Sequence, residues 1–109
     1  MATDSRIGDR SEYAAILWLS DQGYEVFQNF GCDGPIDLVA VDITTGETIL
    51  VDVKTITKYL RKDGVSHYHK LGKRTELQKA LKVQYLGVDR ETRECFWYEG
   101  SRTSKSGAK

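Results

Sequence analysis

Proline is all but missing from these 109 residues, with Pro35 the single instance. Combined with 29% charged and 39% hydrophobic residues, that scarcity excludes collagen-like, mucin-like and fully disordered chains. Cysteine is nearly as rare. Cys32 and Cys95 make no disulfide scaffold and lack metal-ligand spacing, which leaves them as small packing residues. No apolar run approaches the roughly 18 residues of a membrane span. Residues 1–6 (MATDSR) lack the basic start and apolar stretch of a signal peptide. A cytoplasmic globular protein without a membrane partner is expected. Its length suits a single domain over residues 1–100 with one core, followed by a disordered tail at 101–109 (SRTSKSGAK).

Net charge is also absent, with sixteen basic and sixteen acidic residues. Taken alone, that argues against a nucleic-acid partner. The distribution argues the other way. Residues 1–54 hold three basic side chains against ten acidic, and residues 55–109 hold thirteen basic against six acidic. Within residues 58–82, Lys58, Arg61, Lys62, Lys70, Lys73, Arg74, Lys79 and Lys82 are opposed only by Asp63 and Glu76. Tyr59, His67, Tyr68 and His69 are interleaved with them. Cations for phosphates beside rings that stack suit a nucleic-acid surface, while a solvated basic loop is the plain alternative. The role of the two histidines stays open.

Periodicity organises the rest. Residues 11–22 carry the wide apolar face of a helix, with Asp4 or Ser5 available to cap an earlier start and Gly23 to end it. Residues 24–30, 36–42 and 48–55 read as strands. A short loop at 43–46 joins the last two into a hairpin, and both are apolar on both faces at mid-length, so both faces should be covered. Residues 58–74 show no period and suggest a long loop. Thr75 and Gln78 fit a capping box before a short helix, and 83–89 and 94–99 fit a closing hairpin. The predicted fold is α/β (α+β): a single mixed central sheet flanked by helices, in the order αβββαββ.

Polar residues break this pattern where chemistry would. Asp52 and Lys54, two apart in one strand, leave the same face. If the loop is 43–46, Asp42 opposes Glu47, and Asp37 falls directly across from Asp52. Opposed residues have Cβ atoms about 4.5–5.5 Å apart, so these carboxylates share either a proton or a cation. Glu12 lies on the apolar side of the first helix, where an unpartnered carboxylate is costly to bury. Gly8, one turn earlier, would allow that helix to approach the sheet closely. A hard divalent cation would satisfy all three carboxylates. The plain readings are an exposed Asp52–Lys54 ion pair, an Asp37 that serves turn amides, and a Glu12 that favours the helix dipole. The apolar neighbours Ile49, Leu50, Val51 and Val53 weigh against an exposed edge strand.

Gly8 and Glu12, then Pro35-Ile36-Asp37, then Asp52-Val53-Lys54, in order over residues 5–90, resemble the PD-(D/E)XK nuclease superfamily. Among its branches the chain is most similar to small Holliday junction resolvases of archaeal and phage type, although those more often carry glutamate at the position of Asp52. The resemblance implies a restriction-endonuclease-like core and a metal-dependent phosphodiesterase. Asp37 and Asp52 would be metal ligands, Lys54 the catalytic lysine and Glu12 a ligand or water-orienting group. Gln78 would be an accessory residue. It further implies Mg²⁺, with Mn²⁺ as substitute, and branched DNA gripped by Lys58, Arg61, Lys62, Lys70, Lys73 and Arg74. Two-fold substrates would favour a homodimer. The rival readings are a nicking or restriction-type nuclease on ordinary duplex, and a catalytically silent DNA-binding module of the same fold.

Overall fold

The computed structural model describes residues 4–31, 34–99 and 102–103. Its elements run α1 (Asp4–Asp21), β1 (Tyr24–Gln28), β2 (Leu38–Asp42), β3 (Thr48–Ile56), β4 (Lys58–Leu60), β5 (Ser66–Tyr68), α2 (Glu76–Leu81), β6 (Gln84–Asp89), β7 (Cys95–Glu99) and β8 (Arg102–Thr103). Six strands form one sheet in the order β1-β2-β3-β6-β7-β8. β3 and β6 pair parallel, and the other neighbours pair antiparallel. β3 is therefore an interior strand, as its apolar composition requires.

The expected mixed sheet and the αβββαββ order are both present, with differences at three places. The first helix takes the earlier start, at Asp4. Residues 58–74 are not a plain loop, because β4 and β5 pair there as a separate hairpin, with Tyr59 opposite His67. Three-residue strands are too short to show alternation. The signal was the Asp63-Gly64 turn: Asp63 Oδ1 accepts the Val65 N–H at 2.9 Å, and Gly64 sits at φ +82°. At the far end, Arg102–Thr103 pairs with β7. Cys32 and the remaining tail positions, 101 and 104–109, lie outside the described residues.

Strand parity sorts the two faces of the sheet. Ala15 and Leu19 of α1 pack in one cluster with Leu38, Ala40, Val51, Leu86, Val88 and Cys95, and the Ser11 hydroxyl hydrogen-bonds the Thr55 hydroxyl. Trp18 and Trp97 meet edge-to-face on this side, with ring centroids 5.9 Å apart. Burial pushes the Cys95 thiol up to about 11, as suits a packing residue rather than a nucleophile. Gly8 has nothing near its missing Cβ, so the close approach expected there does not occur.

The opposite face carries Asp52, Lys54 and Ile56. A second cluster forms there from Ile56, Tyr85, Phe96 and Tyr98, with Tyr68 and Leu71 laid over it from the β3–β6 crossover. The Leu71 N–H donates to the Tyr98 hydroxyl at 3.1 Å. Helix α2 sits on this side too. Its capping box is complete, with Gln78 N–H donating to Thr75 Oγ1 and Thr75 N–H to Gln78 Oε1, both at 3.1 Å.

Close packing on this face explains Gly87. A Cβ there would meet Phe96 Cε2 at 2.9 Å and Ile56 Cδ1 at 3.3 Å. The Phe96 ring cannot yield readily, because Tyr68 lies against it with centroids 4.8 Å apart. Gly87→Ala is expected to cost about 1–3 kcal/mol by overpacking, read from urea unfolding. Phe96→Leu in the same chain should reduce that penalty.

Candidate active site

The β2–β3 turn fixes the register on which the site depends. Asp42 Oδ1 accepts the N–H groups of Thr44 at 2.9 Å and Thr45 at 3.3 Å. Asp42 N–H donates to Glu47 O at 2.8 Å, and Gly46 takes φ +82°. Leu38 then pairs with Val51, so Asp37 lies across from Asp52 as the loop length implied. Asp37 is docked twice on β3. Its N–H donates to Val51 O at 2.8 Å, and its Oδ2 accepts the Val53 N–H at 2.7 Å.

Burial raises the Asp37 carboxyl most, and the Val53 amide pulls it the other way. A hydrogen bond with Asp52 and the charges of Asp52 and Glu12 lift it further, to about 6. The pair therefore shares a proton only below about pH 6, and above that both carboxylates carry charge. Asp52, 9% exposed, is oriented by α2: Gln78 Nε2 donates to its Oδ2 at 2.6 Å and to Pro35 O at 3.0 Å. The same oxygen lies 3.6 Å from Lys54 Nζ. The Lys54 ammonium rests 5.2 Å from the centre of the Tyr85 ring, and its side chain remains 40% exposed. A partly open cation therefore stands beside an acidic pair of which Asp52 is buried and Asp37 half-buried.

Glu12 lies apart from this pair. It comes from the helix on the other face of the sheet, and its Oε1 accepts a 2.6 Å hydrogen bond from Gln28 Nε2. Its charge still reaches Asp37. Among the described residues no three Asp, Glu, His or Cys side chains gather as a metal-binding group. The donor set present is two hard carboxylates, which suits Mg²⁺, an ion held through one or two carboxylates with water completing its shell.

The basic residues divide into two groups. Lys58 pairs with the buried Asp89 at 3.6 Å, and Arg74 Nη1 donates to Val83 O at 2.8 Å, so both hold the crossover in place. Arg61, Lys62, Lys70 and Lys73 are exposed. His67 and Tyr59 have ring centroids 6.0 Å apart, and His69 lies 4.7 Å from the same tyrosine. His67 Nε2 is buried without a hydrogen-bond partner. Sequence reading overlooked Asp89 and Tyr85. Asp89 reads as an ordinary turn residue, and it does serve one, its Oδ1 accepting the Glu91 N–H at 2.8 Å. Its second oxygen, which takes Lys58 and the Tyr68 hydroxyl, leaves no sequence signal.

No protein-family model matches the sequence, and no curated protein resembles it closely enough to count as a relative. Among solved structures, the chain is similar to the bacterial homing endonuclease I-Ssp6803I, with a TM-score of 0.63 and 20% identity over 89% of this chain. The likeness is one of fold. The match spans 65% of the homing endonuclease's length, so the larger protein has parts without a counterpart here.

The acidic pair should be visible in stability. Below about pH 4, the ordinary aspartate value, Asp37 is protonated whether the chain is folded or not. Between there and about 6 the unfolded chain releases that proton while the folded one keeps it, so metal-free protein loses stability as pH rises through this window. Asp37→Asn is expected to flatten that slope and raise the Tm in EDTA at pH 8. Thermal melts from pH 4 to 8 would check it, and an unaltered slope would show that the fold does not raise the Asp37 carboxyl.

Proposed function

We propose that this protein is a metal-dependent DNA endonuclease of PD-(D/E)XK type, and that four-way junctions are its substrate. The observation that carries the reading is the directly opposed Asp37–Asp52 pair with Lys54 beside it on the same sheet face. A structural ion pair would not need a second, half-buried carboxylate whose charge opposes the first. The likeness in fold to an endonuclease supports the same reading.

In this mechanism Asp37 and Asp52 would hold Mg²⁺, for which Mn²⁺ would substitute. When bound, the ion supplies charge to polarise the scissile phosphate and lowers the pKa of water. Gln78 holds Asp52 in place through its amide, and Lys54 presents its cation to the phosphate as negative charge develops. Glu12 orients water from the rim of the site. Arg61, Lys62, Lys70 and Lys73 neutralise the flanking backbone. Among the described residues neither helix is free to enter a groove, because α1 is packed on the sheet and α2 spans only Glu76–Leu81, which favours DNA shape and phosphate placement as the determinants. A homodimer would set one site on each strand of a two-fold junction. The resemblance to a homing endonuclease favours one second reading, in which ordinary duplex is cut.

Labelled four-way junction, duplex, flap and single strand, incubated in Mg²⁺ and in EDTA, separate these readings. Paired symmetric cuts confined to the junction, lost in EDTA and in Asp52→Asn, are the expected result. Asp52→Asn should retain or improve DNA binding, since it removes a negative charge near the phosphates. Duplex cutting would move the substrate to the second reading. Junction binding without any cutting would leave a silent module. Separately, Lys70→Glu is expected to weaken binding and lower the slope of log K against log salt by about 1. An unchanged slope would remove that lysine from the interface.

A further inference from the structure

The β4–β5 hairpin is tied down at its base and bare at its tip. At the base, Lys58 Nζ lies 3.6 Å from Asp89 Oδ2 and 5.2 Å from the centre of the Tyr68 ring. The Tyr68 hydroxyl donates to the same Asp89 oxygen at 3.2 Å, and the ring stacks on Phe96. Burial and the Asp89 charge push that hydroxyl up to about 12, so it keeps its proton and remains a donor. At the tip the turn is closed by the backbone. Arg61 N–H donates to Val65 O at 3.0 Å, and Gly64 N–H to Arg61 O at 2.9 Å.

Among the charged side chains of the tip, two apolar ones are exposed. Leu60 is 72% and Val65 51% exposed. Leu60, opposite Ser66, shares the face of Lys58 and Tyr68, whereas Val65, opposite Arg61, shares the face of Tyr59 and His67. Each face of the tip thus carries one exposed apolar side chain, with Arg61, Lys62 and Asp63 at its turn. A hairpin laid along a groove needs an apolar side chain on one face only. Two such faces suit an element with a stack of base pairs on either side. Continuous duplex offers that gap only by unstacking a step, whereas the arms of an open four-way junction end in base pairs exposed at the branch point. Leu60 follows Lys54 by six residues, so the tip reaches at most about 20 Å from the lysine, or roughly six base pairs along the strand.

We infer that the hairpin tip enters the branch point of a DNA junction, with Leu60 and Val65 packed against the terminal base pairs of adjoining arms and Arg61 and Lys62 on the surrounding phosphates. This rests on the DNA-binding reading above and adds the element that selects branched over linear DNA.

The test is binding in EDTA, which removes cleavage from the readout. A four-way junction carrying 2-aminopurine at the branch point is titrated beside a duplex carrying it at a matched position. The native protein is expected to raise 2-aminopurine fluorescence in the junction alone. Leu60→Ser with Val65→Ser should abolish that rise and lower the junction-over-duplex preference on the order of tenfold, as loss of apolar surface buried against the base pairs predicts, with duplex affinity unchanged. Both side chains are exposed, so an unchanged Tm confirms the fold. A doubly substituted protein that keeps both signal and preference would overturn the inference while leaving the nuclease reading intact. Equal loss on duplex and junction would also overturn it, by making the tip a general contact. Failure of the native protein to bind any DNA would overturn both.

Discussion

Everything at the site depends on the register of one hairpin. The β2–β3 turn is short, and the Asp42 carboxylate holds its amides, so β2 cannot slide along β3. A slip of one residue would send Asp37 and Asp52 to opposite faces of the sheet. The turn therefore does electrostatic work at a distance: it brings together two carboxylates that repel each other and fixes them in a partly buried place. The costs of that meeting are offset locally. Val53 supplies a backbone N–H to Asp37, Gln78 supplies an amide to Asp52, and Lys54 supplies a positive charge. Each of the three donors comes from a different local device, namely strand pairing, helix capping and strand parity.

Gln78 shows how closely fold and site are joined. Its carbonyl oxygen closes the capping box with Thr75, and its amide nitrogen bridges Pro35 and Asp52. One side chain thus ends a helix, anchors that helix to the sheet and orients an acid. The six-residue helix needs such an anchor, because a helix of that length has little stability of its own.

Much of this was legible in the sequence for a physical reason. Strand parity and loop length are local properties, and the sequence 36–54 carries both, so the opposition of Asp37 and Asp52 and the shared face of Asp52 and Lys54 followed directly. The capping box was legible on the same grounds. What did not follow were contacts made across long separations by single atoms. Asp89 reads as a turn residue because its first oxygen is one, and only the folded sheet reveals the second oxygen beneath Lys58 and Tyr68. Glu12 has the helical position expected of it, but its partner Gln28 lies on the edge strand, a choice no periodicity encodes. The β4–β5 hairpin was hidden because six residues of strand divided in two cannot display an alternating pattern.

The parallel pairing of β3 with β6 has a consequence for the order in which the molecule assembles. The strands β1, β2 and β3 follow one another through short connections and meet by local closure. β6 can join β3 only after the intervening residues 57–83 have looped across the sheet, and such non-local closure is slow. Gln78 and Tyr85 arrive with that crossover. The meeting of Asp37 and Asp52 thus depends on a local hairpin, while the groups that orient Asp52 and support Lys54 depend on a closure across more than twenty-five residues. A change that loosened the crossover would leave the two acids opposed and strip them of their supports.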